Sequence, residues 1–347
     1  MQVVKPKRLR KADTVAVVSP SWGGPSLFPR TYEAGIRVLE EVFDLKIREF
    51  PTARMDAADL YRHPHLRAKD LNDAFADPNI QAIFPTIGGD DSVRVLPFLD
   101  AKIALQHPKL LMGFSDSVTL LTFYNQAGLV TFHGPSIMAG FAQARSMTKA
   151  FEAHVKSMLF GKEESHHYEP YQEWSEGYPN WKDPDNAEKV NTLRKRESWK
   201  WLQGHGTVRG RLFGGCIEVL EFLKGTRFWP REEFWKGRIL FVETSEDKPS
   251  PTQVTWMFRN YGMQGVFERI RGILVGRPRG YSDAEKEQLN TAIVRVVSTE
   301  FNAPDLPIVV NMDFGHTDPQ VILPLGIMAE INCAHQRVNL VESPTSS

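Results

Sequence analysis

Short apolar runs alternate with stretches of helical periodicity in the first part of the chain. The runs are rich in β-branched residues and end near glycine, proline or serine, which is typical of buried strands. The stretches between them repeat apolar residues every three to four positions, which predicts helices. We predict the strands Thr14–Val18, Leu45–Phe50, Ala82–Ile87, Lys109–Met112 and Leu129–Phe132, and the helices Tyr32–Val42, Leu66–Phe75 and Val118–Gln126. This alternation favours a parallel sheet covered by helices on both faces.

The pattern changes between Lys162 and Gly206. This stretch is polar and aromatic and shows no clear period, which predicts a linker or an insertion with long loops. It contains four tryptophans, Trp174, Trp181, Trp199 and Trp201.

Strand-like and helix-like patterns resume at Thr207. Ser250 followed by Pro251 predicts a helix N-cap. We predict the strands Gly237–Val242, Gly272–Val275, Pro307–Val310, Ile327–Ile331 and Arg337–Val341, and the helices Pro251–Tyr261 and Asp283–Glu300. The sequence therefore predicts an α/β fold in three parts: a parallel-sheet α/β domain at 1–160, the aromatic-rich insertion at 161–206, and a mixed, β-rich domain at 207–347.

The amino-acid composition favours a globular protein and argues against several other classes. A chain of 347 residues with 41% apolar and 24% charged residues is ordinary for a globular protein of two domains. The 42 basic and 42 acidic residues balance, which gives no support for binding to nucleic acid or to a membrane surface. No apolar run is long enough to span a membrane, and no apolar core follows the basic N-terminus as in a secretory signal. Two cysteines, Cys216 and Cys333, form neither a disulfide framework nor a zinc cluster, so we expect a reducing cytoplasm.

Two strand ends in the first part carry candidate chemistry, since ligands of open α/β sheets bind at strand ends. Gly88 and Gly89 follow the third predicted strand and could present backbone N–H groups to a ligand, or form an ordinary turn. The run Gly113–Ser117 (GFSDS) lies between a strand and a helix and resembles a nucleophile elbow. The motif is incomplete because Ser117 stands where glycine is expected. Ser115 is a candidate nucleophile, with helix capping as the alternative.

A histidine and a glutamate follow two later strands. His316 is a candidate general base, with a surface turn as the alternative. Glu243 could orient an imidazole, or be an ordinary solvated acid. Such a set of serine, acid and histidine occurs in several orders on unrelated folds, so the order alone decides little. The remaining histidine pairs, His63 with His65 and His166 with His167, lack the spacing of a metal site. No glycine motif for a nucleotide is present, so we expect neither a metal nor a cofactor.

Several motifs, taken in order, are similar to those of one known family. They are residues 66–78 (LRAKDLNDAFADP), 87–89 (IGG), 113–116 (GFSD), 132–135 (FHGP), 210–215 (GRLFGG), 237–243 (GRILFVE), 315–316 (GH) and 323–326 (LPLG). These motifs resemble the LD-carboxypeptidase family of serine peptidases, which includes the microcin C self-immunity proteins. The resemblance covers nearly the whole chain, from about residue 10 to residue 342.

The resemblance implies an N-terminal α/β domain similar to class I amidotransferases, a C-terminal β-rich domain and an active site between them. It implies a catalytic triad of Ser115, Glu243 and His316. It also implies an oxyanion hole formed by the backbone N–H groups of Gly89 and Asp116. Members of the family are usually cytoplasmic and often dimeric and need no metal, so we expect a homodimer.

Two departures from the family distinguish this chain. Cys216 follows Gly214 and Gly215 where the family commonly has asparagine. The long tryptophan-rich insertion resembles the self-immunity branch rather than the peptidoglycan enzymes. In that branch, parts similar to Glu243–Ser250 and to a loop tryptophan hold an aminoacyl-nucleotide, and Trp181 is the candidate here.

The predicted activity is hydrolysis of an amide near a free carboxylate end, in a small peptide or an aminoacyl-nucleotide. One alternative substrate is a murein tetrapeptide, as in LD-carboxypeptidases of murein recycling. Two other classes are an inactive homologue that only binds such ligands and an α/β-hydrolase esterase. The incomplete elbow and the two-domain pattern argue against the esterase. The intact set of Ser115, Glu243 and His316 argues against the inactive homologue.

Overall fold

Strands form where β-branched and apolar residues run together between turn-forming residues, as their propensities favour. A computed structural model describes residues 3–347 of the chain. Its strands are β1 (Thr14–Val18), β2 (Lys46–Glu49), β3 (Ile80–Pro85), β4 (Leu110–Gly113), β5 (Thr131–His133), β6 (His166–Tyr168), β7 (Glu173–Trp174), β8 (Arg194–Lys195), β9 (Lys200–Gln203), β10 (Thr207–Cys216), β11 (Arg238–Glu243), β12 (Gly272–Gly276), β13 (Ile308–Met312), β14 (Leu323–Leu325), β15 (Met328–Asn332) and β16 (Arg337–Leu340).

Helices connect and cover these strands. The α-helices are α1 (Gly24–Leu27), α2 (Pro29–Glu41), α3 (Ala57–Arg62), α4 (Pro64–Ala76), α5 (Ala101–Gln106), α6 (Val118–Ala127), α7 (Lys149–Phe160), α8 (Ile217–Glu221), α9 (Pro251–Met263) and α10 (Asp283–Val294). Among the described residues, no helix combines the length and apolar character needed to cross a bilayer.

The first sheet has six strands in the order β14-β5-β4-β3-β1-β2. β1 to β5 run parallel, and β14 joins β5 in the antiparallel direction. The residues of β4 and β5 are all buried, as expected for a sheet with both faces covered. The parallel direction places the ends of β3 and β4 at the same edge of the sheet.

The second sheet has eight strands in the order β6-β16-β15-β10-β11-β12-β13-β9. Its centre, β10 to β13, is parallel, and the outer strands are antiparallel. The ends of β11 and β13 therefore lie at one edge. The two sheets share one hydrophobic core, and the chain returns from the second sheet to the first through β14.

The predicted fold class is confirmed. The predicted strands differ from the observed ones by at most two residues at either end. Ser250 caps α9 as predicted, because its hydroxyl accepts a hydrogen bond from the N–H of Gln253 in a capping box. The predicted helix Asp283–Glu300 begins correctly, but it changes at Arg295 into a π-helical turn that ends at Glu300.

The stretch 162–206, interpreted as a linker or an insertion with long loops, also contains short strands that the sequence analysis did not predict. β6 and β9 are edge strands of the second sheet, and β7 pairs with β8. Edge strands are short and carry exposed polar side chains, which obscures the alternation expected of a strand. Two of the tryptophans pack in the interior, since Trp174 is fully buried and Trp199 is 9% exposed.

Candidate active site between the two sheets

Ser115 occupies a sharp turn between β4 and α6. Its φ angle of 55° lies in the left-handed region, which costs a non-glycine residue roughly 1–3 kcal/mol. A 3₁₀ turn, Ser115–Ser117, leads into α6. Ser117 is the N-cap residue of that helix, but its side chain makes no capping hydrogen bond. The backbone strain and the partial exposure of Ser115 match a nucleophile elbow better than a helix cap.

The loop after β3 passes closely over Ser115. A Cβ atom on Gly88 would lie 3.1 Å from the Ser115 hydroxyl oxygen and 3.3 Å from the backbone nitrogen of Asp116. Gly89 has a φ angle of 153°, and a Cβ atom there would collide with the hydroxyl of Ser21. The absence of a side chain at Gly88 lets this loop approach Ser115, and its absence at Gly89 lets the loop pack against Ser21 and Trp22.

The carboxyl group of Asp116 holds this loop in place. It accepts hydrogen bonds from the N–H groups of Asp91 (3.1 Å) and Ser92 (2.8 Å) and from the hydroxyl of Ser21. Burial raises the pKa of this carboxyl group, and the bonds from Ser21 and Ser92 oppose the rise. These bonds tie the loop that contains Gly89 to the turn that contains Asp116, the two residues whose amides were predicted to form an oxyanion hole.

Glu243 and His316 form a buried hydrogen-bonded pair. Glu243 is the last residue of β11, and His316 lies in the loop after β13, 73 positions later in the sequence. The Nδ1 atom of His316 lies 2.6 Å from Oε2 of Glu243. Gly315 permits this contact, because a Cβ atom there would lie 2.6 Å from the same oxygen. The pair fixes the plane of the imidazole and leaves Nε2 pointing away from Glu243.

The charges of the pair stabilise each other. Burial alone would raise the pKa of Glu243 and lower that of His316, because each loses contact with water. Burial is outweighed by the partner's charge and hydrogen bond together with His133 beside Glu243 and with Glu246 and Glu218 near His316. The pKa of Glu243 is therefore lowered to about 2 and that of His316 is raised to about 9. The pair is therefore a carboxylate and an imidazolium at neutral pH. His316 must lose this proton before it can act as a base.

Phe114 connects the serine to the histidine. It precedes Ser115 in the chain, and its ring centroid lies 5.1 Å from that of His316. β14, which follows His316, also pairs with β5 of the first sheet. The structure thus brings Ser115, Glu243 and His316 to the junction of the two sheets. Within residues 3–347, the Nε2 atom of His316 has no hydrogen-bond partner, and Ser115 is not bonded to it.

His133 is part of this site, although the sequence analysis gave it no role. It is fully buried at the end of β5, and its Nε2 atom lies 3.7 Å from Oε1 of Glu243. Its ring packs edge-on against Phe241 at 5.4 Å and Phe314 at 6.2 Å. His133 therefore contacts the carboxylate oxygen that His316 leaves free. The motif 132–135 (FHGP) was a signal, but it indicated family likeness and not chemistry.

Two further carboxylates flank the pair. The sequence analysis gave Glu218 no role and included Glu246 only within the segment Glu243–Ser250. Oε2 of Glu246 lies 3.0 Å from Nε2 of His316. Glu218 accepts hydrogen bonds from the N–H and the hydroxyl of Ser245, at 2.9 and 2.7 Å. Cys216 lies beside Glu218, with its sulfur 3.5 Å from a carboxylate oxygen, and burial raises the pKa of its thiol.

Trp181 belongs to a row of aromatic side chains. Its ring stacks on Tyr178 with centroids 4.3 Å apart and meets the edge of Phe28 at 5.8 Å. Phe28 in turn contacts Trp22, which is 37% exposed. Trp22 follows Ser21, whose hydroxyl lies beside Gly89. One face of Trp181 is thus already covered by Tyr178, so a ligand could stack only on the other face.

The remaining histidines lie apart from this arrangement. His63 and His65 contact each other and sit beside α3 and α4, while His166 packs on His154. His167 is exposed and bonds to an asparagine of β16. Across residues 3–347, no group of three or more metal-ligating side chains is arranged to hold an ion.

Comparison with protein families supports the resemblance seen in the motifs. A profile of the LD-carboxypeptidase N-terminal domain matches residues 15–134, and one of the LD-carboxypeptidase C-terminal domain matches residues 209–331. The first match contains Ser115, and the second contains Glu243 and His316. The family resemblance drawn from the sequence is confirmed.

Individual relatives span almost the whole chain. The microcin C7 self-immunity protein MccF of Escherichia coli is 28% identical over 296 residues, 83% of this chain and 82% of that protein. A probable murein peptide carboxypeptidase of Bacillus subtilis is 26% identical over 345 residues, 99% of this chain and 95% of that protein. A crystal structure of an MccF-like protein from Streptococcus pneumoniae, in complex with AMP, superposes with a TM-score of 0.84 at 27% identity and covers 95% of this chain and 98% of that one.

Proposed function

The chain belongs to the LD-carboxypeptidase family, and on that premise we propose that it is a serine-type amide hydrolase with Ser115 as nucleophile. The observation that carries the proposal is the buried pair of Glu243 and His316, 2.6 Å apart, beside the strained turn of Ser115. Strain and buried charge are costly to a fold, and both are typical of catalytic sites. An inactive homologue that only binds ligands would have no need of either.

Each residue has a defined part in the proposed reaction. The neutral form of His316 accepts the proton of Ser115 as the hydroxyl oxygen attacks the carbonyl carbon. Glu243 orients the imidazole and stabilises the imidazolium that forms. His316 then gives the proton to the leaving nitrogen as the amide C–N bond breaks, which leaves an acyl group on Ser115. Water, activated by the same histidine, attacks the acyl carbon and releases the acid product.

The backbone N–H groups of Gly89 and Asp116 are the proposed oxyanion hole. Both belong to segments that approach the Ser115 hydroxyl, and the Asp116 carboxyl group holds the two segments together. Donors fixed in advance stabilise the developing negative charge without reorganisation, and one such donor is worth roughly 100- to 1,000-fold in kcat.

We propose an aminoacyl-nucleotide or a related peptide conjugate as the substrate. The long insertion supports this choice, because it places Trp181 and Tyr178 in one aromatic row with Trp22. The S. pneumoniae protein, which was solved in complex with AMP, supports a nucleotide-containing substrate. The B. subtilis relative, a probable murein peptide carboxypeptidase, supports a murein peptide instead. A murein tetrapeptide is therefore the second candidate substrate.

Hydrolysis of two sets of compounds by the purified protein tests the proposal. One set contains aminoacyl sulfamoyl adenosines, and the other contains murein tetrapeptides that end in a D-residue. We expect turnover of the first set, and its loss in Ser115→Ala. Turnover of the second set alone would favour the murein enzyme. Turnover of neither by a folded protein, or full activity of Ser115→Ala, would contradict the proposed function.

A further inference from the structure

Glu246 stands beside the ring nitrogen of His316 that Glu243 leaves free. Its Oε2 atom lies 3.0 Å from Nε2, but it lies off the direction in which an N–H bond would point, so the contact is an ion pair and not a hydrogen bond. His316 is thus flanked by two carboxylates. That of Glu243 is buried, whereas the side chain of Glu246 is 53% exposed.

The other acidic groups that face His316 are held by the protein. Glu218, on α8, is engaged by the N–H and hydroxyl of Ser245. Asp318, on the same loop as His316, is 4% exposed and faces Arg279, and burial raises its pKa to about 6. Neither group is free to follow a ligand.

Glu246 has no such partner. It shares an open, polar pocket with Lys248, Arg194 and Arg279. Lys248 and Arg194 are paired with Glu285 at 2.9 Å and with Glu176 at 3.0 Å, and the guanidinium of Arg279 packs on the ring of Tyr178. In the described part of the chain, Glu246 forms a single ion pair, the one with His316. Its carboxylate is therefore exposed, next to the reacting atoms, and available to a cation on the substrate.

We propose that Glu246 is a specificity residue that binds a free ammonium group next to the scissile carbonyl and releases His316 as it does so. This inference rests on the proposed function. In an aminoacyl group, the α-nitrogen is two bonds from the carbonyl carbon. A carbonyl held between Ser115 and His316 therefore brings the ammonium group within reach of the carboxylates beside His316. Among these carboxylates, that of Glu246 is exposed and can turn toward the ammonium group.

The exchange of partners also prepares His316 for catalysis. In the free enzyme, Glu246 helps to stabilise the imidazolium, which cannot accept a proton from Ser115. Once Glu246 pairs with the substrate, this stabilisation is lost, and the positive charge of the ammonium group further disfavours the imidazolium. The neutral imidazole that results is the form that acts as a base. A substrate with a free amino group thus promotes its own hydrolysis.

A comparison of two substrates in two variants tests this role. The substrates are an aminoacyl sulfamoyl adenosine and its N-acetyl derivative, which lacks the ammonium group. We expect the wild type to prefer the free amine by about tenfold in kcat/KM, as for one hydrogen bond to a charged group. Glu246→Gln should lose this preference, and its kcat/KM for the N-acetyl compound should rise, because no second carboxylate then holds His316 as the imidazolium. Glu287→Gln, an exposed glutamate on α10, is the matched control and should keep the wild-type preference.

A second measurement reports on His316 without turnover. In the Ser115→Ala protein, the pH titration of the His316 ring protons by NMR should move to lower pH when Glu246→Gln is added, and should not move with Glu287→Gln. An unchanged titration, or a Glu246→Gln enzyme that keeps the wild-type preference, would overturn the inference while leaving the proposed function intact. If the wild type hydrolyses neither compound, the proposed function fails and this inference fails with it.

Discussion

Replacing His316 with glutamine removes one member of the buried pair, and the cost should depend on pH. Burial lowers the pKa of His316, but the charge and hydrogen bond of Glu243, with smaller contributions from Glu246 and Glu218, together raise it from 6.5 to about 9. A raised pKa contributes stability that is complete below 6.5 and is lost as the pH rises through 9. A difference of this size corresponds to about 3 kcal/mol of folding free energy. The lowered pKa of Glu243 expresses the same interaction, so it adds no second contribution.

Urea unfolding, followed by tryptophan fluorescence at pH 6, 8 and 10, measures this effect. The free energy of unfolding of the wild type should exceed that of His316→Gln by several kcal/mol at pH 6, and the gap should shrink by about 3 kcal/mol at pH 10. The control is His335→Gln, which changes an exposed histidine and should show a gap that is small at every pH. A gap between wild type and His316→Gln that stays constant from pH 6 to 10 would refute the ion pair.

Two further substitutions test the geometry of the site. Gly315→Ala should lose at least tenfold in kcat/KM and about 1–3 kcal/mol of stability, because its φ is 98° and its Cβ would lie 2.6 Å from Glu243 Oε2. Gly225→Ala, with φ of 78° and open space around the added Cβ, should lose stability alone; equal activity in the two variants would contradict the reasoning. Trp181→Ala should raise KM for an aminoacyl-adenylate analogue by about 5- to 150-fold, the value of one base–aromatic stack. It should leave cleavage of a murein tetrapeptide nearly unchanged, and an equal loss on both substrates would assign Trp181 a structural role.

Most central strands could be predicted because they are buried on both faces, whereas the central strand β10, whose first half is partly exposed, was missed. The central runs VAVV of β1, ILFV of β11 and ILV of β12 are continuously apolar, so their signal does not depend on the sheet around them. β6 and β9 could not be found in this way, since their side chains are partly exposed and polar. Pairing across the sheet, which their own residues do not specify, makes them strands. The short helices α3, α5 and α8 were missed because a turn or two gives too little periodicity to detect.

The site could be predicted only where a residue lies inside a motif at a strand end. Ser115, Glu243 and His316 satisfy that condition, and the structure brings the loops that carry them to one junction. Glu246 was included only as part of the segment Glu243–Ser250, because its place beside His316 depends on the path of an irregular loop after β11. His133 was hidden for another reason: its contact with Glu243 joins two different sheets. The contacts of Glu246 with His316 and of His133 with Glu243 join residues far apart in the sequence, so the local sequence pattern does not predict them.

Covalent labelling of Ser115 tests the central claim most directly. The wild-type protein is treated with a fluorophosphonate, digested, and mapped by mass spectrometry, with and without an aminoacyl sulfamoyl adenosine as competitor. We predict one labelled peptide, modified at Ser115, with labelling that is suppressed by the competitor and absent from Ser115→Ala. The label should also be lost in His316→Gln, because the serine is then without its base. Labelling of another residue at the same rate in Ser115→Ala, or no labelling of an enzyme that hydrolyses its substrate, would contradict the account.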